Sequence, residues 1–340
     1  MVARRLIACC ALLALSSGCS GFIYSQTGST LSGYAKDHMV PWLMARQDVG
    51  LACATGSAVG PLIGSFERVT DAPDLAGLVS WVGGGMCAEA AAWDAELASV
   101  RAVKRGDAAA SQDARMVEER HHRVAAMRFA AAWRYAEHHF TGGKGKLGEG
   151  KCPTVKEDEE IYLLLGAASG LLAVLHDRAA SGAANVDTRI LPAAARTAGC
   201  LKSDKWWGVP DALRAAVWMT VPGSAPKGTD IAKTLEAAAA AGDKAGVRLA
   251  RALQVIAVEG SGDEARTAAA VKAHQASIEA KSAPKAWRLL DSYARRMTQQ
   301  TVDRIWSREK GHRGPTGRLE LPEKPEANDD SDDMLEGLDG

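Results

Sequence analysis

Apolar positions recur at intervals of three, four and seven along most of this chain, the spacing that lines one face of an α-helix. No run shows the strict alternation of a half-buried strand. The pattern predicts helices over residues 41–66, 75–104, 109–140, 157–180, 187–200 and 210–220. A helix capped by Thr229-Asp230 and ending at Gly242 follows, then helices over 243–258 and 264–280. Pro284 opens a last long helix that runs to about 309. Within 109–140 the main stripe is Val117, Val124, Met127, Ala131 and Tyr135, and Phe129 and Trp133 form a second stripe beside it. The glycine- and lysine-rich loop at 141–156 divides an N-terminal lobe, 36–140, from a C-terminal lobe, 157–309. The expected fold is all-α, with antiparallel helix pairs forming a degenerate tetratricopeptide-like array or an irregular helical bundle. Tyr162, Leu165 and Gly166 match the opening of the 34-residue repeat pattern, but its later positions fail.

Val49 to Phe66 carries no charge, which raises a membrane-spanning reading. Four glycines, Pro61 and a shortage of large aliphatic residues argue instead for a buried helix with close neighbours. Composition agrees with helices packed at short range: much of the hydrophobic content is alanine, and nine of the eighteen aromatic residues are tryptophan.

The first residues follow a different pattern. Arg4 and Arg5 precede an apolar run, Leu6 to Leu15, too short to span a bilayer, and Ser16-Ser17-Gly18 leads into Cys19. This resembles the lipobox of bacterial lipoproteins, with Ser16 where leucine is most common. The resemblance implies cleavage after residue 18 and a lipid anchor on Cys19. By the lipoprotein sorting rule, Ser20 implies the periplasmic face of the outer membrane. Residues 19–35 read as a flexible tether and 310–340 as a disordered acidic tail. Nine acids and one lysine lie between Glu320 and Asp339, leaving 38 basic and 32 acidic residues in 19–318. That diffuse positive excess suits an anionic surface or an acidic partner and carries no nucleic-acid signature.

With Cys9 and Cys10 in the leader and Cys19 lipidated, four cysteines remain. An even number in an oxidising compartment suggests two disulfides. Folding 41–66 and 75–104 back about residue 70 sets Cys53 level with Cys87 and Gly56 level with Gly84. The stripe Gly56, Gly60 and Gly64 then faces Gly83-Gly84-Gly85, and the backbones can approach closely. Cys53–Cys87 is therefore the expected bridge, with Cys152–Cys200 by exclusion. Four buried free thiols are the alternative.

No motif carries catalysis, a metal or a cofactor. Gly145 to Cys152 nearly fits a phosphate-binding loop, but Cys152 replaces the hydroxyl that holds magnesium, Pro153 follows, and a helix precedes it. His121-His122 and His138-His139 lie seventeen residues apart on one helix, about 25 Å, and read as a solvated face. His176-Asp177 has the form of an oriented base but no nucleophile beside it, and reads as a helix end. Trp206, Trp207 and Trp218 are candidates to line an apolar ligand cleft, or to fill gaps between alanine-rich helices.

The lipobox at Ser16-Ser17-Gly18-Cys19, followed by helical pairs such as 157–180 with 187–200 and 228–242 with 243–258, resembles the T-component lipoproteins of TRAP-type transporters. The resemblance implies a helical-repeat body with an apolar groove, working with a periplasmic solute-binding protein. The expected function is thus non-enzymatic handling of a small apolar ligand. An envelope scaffold that binds only proteins is the alternative.

Overall fold

The computed structural model describes residues 21–69 and 73–323. The leader, Cys19 and residues 324–340 of the acidic tail lie outside them. No strand occurs among the described residues. The helices are α1 (21–34), α2 (Val40–Met44), α3 (Val49–Ser65), α4 (Asp74–Lys104), α5 (Ala108–Thr141) and α6 (Glu160–Ala179). They continue as α7 (Ile190–Ala198), α8 (Val209–Thr220), α9 (Ile231–Ala245), α10 (Leu249–Gly260), α11 (Glu264–Ala280) and α12 (Arg288–Lys310).

Capping chemistry fixes several boundaries. Asp48, Asp107, Asp230 and Asp263 each accept a hydrogen bond from the backbone N–H three residues on, satisfying a donor that helix geometry leaves orphaned. Gly142, Gly246 and Gly311 close α5, α9 and α12 in the left-handed conformation.

Neighbouring helices pack in sequence from α3 to α7, and α12 returns to lie against α4 and α10. In an open solenoid each repeat touches only its neighbours. The return of α12 closes this chain on itself. One apolar core, running from Val40 through Phe129, Leu171 and Leu213 to Met297, spans both sides of the loop at 141–156. The loop is held down: Leu147 is buried, its N–H donates to Glu137, and Cys152 is bridged to Cys200 at the end of α7. The two lobes expected from the sequence therefore share a core, because α5 and α6 pack directly across their connection.

Three sequence expectations differ from the fold. Residues 21–34, expected as tether, are helical and run without a break through a π-helical stretch, Ala35–Met39, into α2. The described start of the expected tail is packed: Leu319 is buried, and the Glu320 carbonyl accepts from Trp306 Nε1 at 2.8 Å. On α5, Ala131 and Tyr135 of the expected main stripe and Phe129 and Trp133 of the second are buried, but Val124 and Met127 are exposed and the core face also carries Glu118 and His122.

The disulfides are the expected pairs, Cys53–Cys87 with Cα atoms 4.9 Å apart and Cys152–Cys200 at 5.5 Å. A Cβ added to Gly56 would lie 2.5 Å from the Gly84 nitrogen and the Ser80 carbonyl oxygen. Only glycine permits that crossing of α3 over α4. By length and hydropathy, Val49–Arg68, Asp74–Lys104 and Glu157–Ala179 are each sufficient to cross a membrane. The last two are mostly buried within the protein, whereas only 28 % of the first is. The outward face of α3, with Leu51, Ala54, Ala58 and Leu62, is apolar and uncharged.

Candidate ligand cavity and buried polar chain

An apolar cavity of about 100 Å³ lies between α2, α3, α4, α6 and α12. Leu43 and Met44 of α2, Ala52, Thr55 and Gly56 of α3, and Ser80 and Met86 of α4 form one side. Phe129 of α5, Leu165, Ser169 and Leu172 of α6, and Leu289, Leu290 and Tyr293 of α12 form the other. The volume is of the order of an engineered cavity of roughly 150 Å³ that holds benzene. No charged side chain lines it among the described residues. Gly56 and Gly83 bring the α3 and α4 backbones into contact along one edge of it.

Behind the cavity wall runs a chain of buried polar groups contributed by four helices. Tyr293 of α12 donates its hydroxyl hydrogen to Glu89 of α4 at 2.5 Å. The other Glu89 oxygen lies 3.0 Å from His176 Nε2 on α6. His176 Nδ1 lies 2.8 Å from His122 Nδ1 on α5. His122 Nε2 then lies 3.7 Å from Glu118, which meets Arg115 at 3.4 Å. Tyr293, Glu89, His176, His122 and Glu118 are all buried, and the chain ends at exposed Arg115. Phe129 stacks on the His176 ring at 5.5 Å and also lines the cavity.

Each link constrains the next. Burial, reinforced by the Glu89 carboxylate, pushes the Tyr293 hydroxyl well above its ordinary range and keeps it protonated as a donor. The Nδ1–Nδ1 contact requires one histidine ring to donate and the other to accept. Five polar side chains are thus satisfied in a core that would otherwise penalise each of them. The hydrogen-bonded part runs from Tyr293 to His122, and contacts through Glu118 and Arg115 continue it to the surface.

Several of these placements correct the sequence reading. His122 belongs to the interior, and His176, in the last turn of α6 as expected, is buried in the polar chain. Asp177 does not pair with His176. Its carboxylate accepts from the Ala184 and Val186 backbone N–H groups at 2.8 and 2.9 Å and shapes the turn after α6. His121 is half-buried. His138 and His139 pair with Asp74 and Glu159, at 2.7 and 3.1 Å. No cluster of three or more metal-ligating side chains occurs among the described residues.

The tryptophan candidates lie elsewhere. Trp206 and Trp207 are buried, packed edge-on against each other and against Trp287 with ring centroids 4.9–5.9 Å apart. Trp206 Nε1 donates to Glu160 at 2.7 Å, and Trp218 carries Arg214 over its ring at 4.9 Å. None of the three lines the apolar cavity. Trp206 and Trp207 belong to the buried apolar core, and Trp218 packs partly buried against it. The cavity walls themselves are ordinary core aliphatics at helical spacing, and nothing in their pattern separates them from the rest of the core.

Comparison with protein families, curated proteins and solved structures returns no match.

Proposed function

We propose that this chain is an envelope lipoprotein, held by lipid on Cys19 at the periplasmic face of the outer membrane, that binds a small apolar ligand. The carrying observation is the uncharged apolar cavity between α2, α3, α4, α6 and α12. A buried polar chain stands behind one of its walls, through Tyr293 and Phe129. Passing the ligand to or from a periplasmic solute-binding protein completes the reading. That partner is drawn from the resemblance to T-component lipoproteins. The reading is non-enzymatic, with the buried histidines and acids in structural roles.

The test is a titration of the purified protein with toluene, followed by ¹³C-methyl NMR of the methionines. Met44 and Met86 line the cavity, so their signals shift on binding, while exposed Met127 stays in place. Saturable shifts confined to the cavity methionines support the reading. Shifts absent at saturating toluene, or spread equally to Met127, sink it.

The scaffold reading draws on one observation, the uncovered stripe Leu51, Ala54, Ala58 and Leu62 on α3, with Leu62 51 % exposed. An uncharged apolar helix face of this kind suits contact with another macromolecule.

A further inference from the structure

Two contrasting faces run along α12. Leu289, Leu290 and Tyr293 line the apolar cavity. Arg288, Ser292, Arg295, Arg296 and Gln299 line a separate polar cleft of about 850 Å³. At 3.6 residues per turn these five positions fall within about 100° of helical arc. The turn before α3, the segment after α11 and residues 313–317 form the other sides. A cleft of that size lies in the range of small-molecule sites. Six basic side chains and three acids line it. The acids are all engaged within the protein. Asp48 caps α3, Asp291 pairs with Arg248 at 2.7 Å, and Asp303 accepts from Gln299 and from the Gly314 N–H. Arg313 pairs with Asp94 at 2.7 Å. Lys281 and Arg295 reach only the backbone carbonyls of Lys244 and Gly317. Arg288 and Arg296 have no hydrogen bond or ion pair among the described residues. Four cations thus line one concavity without a carboxylate partner. Their field reaches inward: burial, then Arg248, Arg251 and Arg295, holds the buried His274 below its ordinary range.

We infer that this cleft is a second binding site, for an elongated solute bearing two or more carboxylate or phosphate groups. Like charges gathered in a concave surface with low-dielectric walls focus the field and concentrate anions there. Arg288 is exposed, and Arg295 and Arg296 are half-buried, so all three guanidinium groups are within reach of a ligand. A guanidinium fork pairs bidentately with a carboxylate or a phosphate alike. Arg288 and Arg295 stand seven residues apart on α12, about 10 Å along its axis. That spread suits several oxyanion groups on one molecule. The cleft shares no residue with the apolar cavity. Failure of the cavity to bind toluene would leave the anion site standing.

Calorimetric titration of the whole protein at low ionic strength compares tripolyphosphate, tetraglutamate and acetate. The wild type is expected to bind tripolyphosphate, tetraglutamate or both, and acetate at least about tenfold more weakly, with affinity falling as salt screens the site. Arg288→Gln and Arg296→Gln should each weaken binding by about tenfold or more, the worth of a hydrogen bond between charged groups. Neither side chain holds a partner in the protein, so both variants should fold, and an unchanged Tm verifies it. Lys151→Gln removes the same charge from an exposed position outside the cleft and should change binding far less. Binding of tripolyphosphate alone identifies phosphate groups as the ligand's anions, and binding of tetraglutamate alone identifies carboxylates. Either supports the site. A wild type that binds neither overturns it, as does an equal loss in Lys151→Gln and the arginine variants. Acetate binding as tightly as the polyanions overturns the assignment to a ligand with several charged groups.

Discussion

Glu89 is 2 % exposed and bonded on both oxygens, to His176 and to Tyr293. Removing either Glu89 or His176 strands the other in the core, and breaking a buried pair typically costs about 3–5 kcal/mol. Removing both strands less. Glu89→Ala and His176→Ala are each expected to destabilise by about that amount, and the double variant by less than their sum. The coupling, read from urea denaturation of the four proteins, should exceed about 1 kcal/mol. Additive losses would show that the two side chains do not form one network. His274 poses the opposite problem, a buried histidine without a carboxylate. Its Nδ1 meets Thr298 Oγ1 at 2.8 Å and its Nε2 has no partner. Burial, with the positive charges of Arg248, Arg251 and Arg295, lowers its pKa from 6.5 to about 3. The folded state therefore resists a proton that the unfolded chain accepts. Its contribution to stability is fully present above pH 6.5 and declines as the pH falls toward 3. Between those limits the slope approaches about 1.4 kcal/mol per pH unit for this one group. Tm measured from pH 7 to pH 4 should fall more steeply for the wild type than for His274→Gln. Parallel curves would remove His274 as the cause.

At the scale of elements, the sequence was most legible where a physical constraint left one solution. Glycines at Gly56 and Gly83-Gly84-Gly85 mark a helical crossing that larger residues forbid, and counting outward from the turn sets Cys53 against Cys87. The all-helical class follows from periodicity in the same way. Legibility failed where polar residues face inward. On α5, Val124 and Met127 look like a core stripe, yet the buried face carries Glu118 and His122. Hydrophobic periodicity cannot register a face whose His122 is satisfied by His176 on another helix, 54 residues away, with Glu89 and Tyr293 extending the chain onto two more. The cavity escaped for a related reason. It is an absence of side-chain volume at the junction of α2, α3, α4, α6 and α12, and no single segment records it. Residues 21–34 look like a tether because serine, glycine and threonine favour loops, whereas here the Thr27 and Ser32 hydroxyls bond back to the carbonyls four residues earlier.

Across the whole molecule the two disulfides have similar reach but different positions. They close segments of 34 and 48 residues, so loop-closure entropy assigns them comparable stabilisation, typically about 2–4 kcal/mol each. Stability alone cannot tell them apart. Cys53 adjoins Ala52 and Cys87 adjoins Met86, both in the cavity wall, and the bridge fixes α3 against α4 beside the Gly56–Gly83 crossing. Cys152–Cys200 ties the loop after α5 to the end of α7, and neither cysteine lines the cavity. Losing the first bridge frees a wall of the cavity, and losing the second frees a loop outside it. The Cys53→Ala/Cys87→Ala and Cys152→Ala/Cys200→Ala double variants should therefore lose similar stability in urea. Only the first should also lose affinity for toluene, by several-fold, because its cavity must be ordered at the expense of binding. Equal toluene affinities in the two variants would mean that packing alone holds the α3–α4 wall. A loss confined to the second would place the ligand site elsewhere. The expected outcome separates the two bridges by position: Cys53–Cys87 holds the cavity in shape, and Cys152–Cys200 does not.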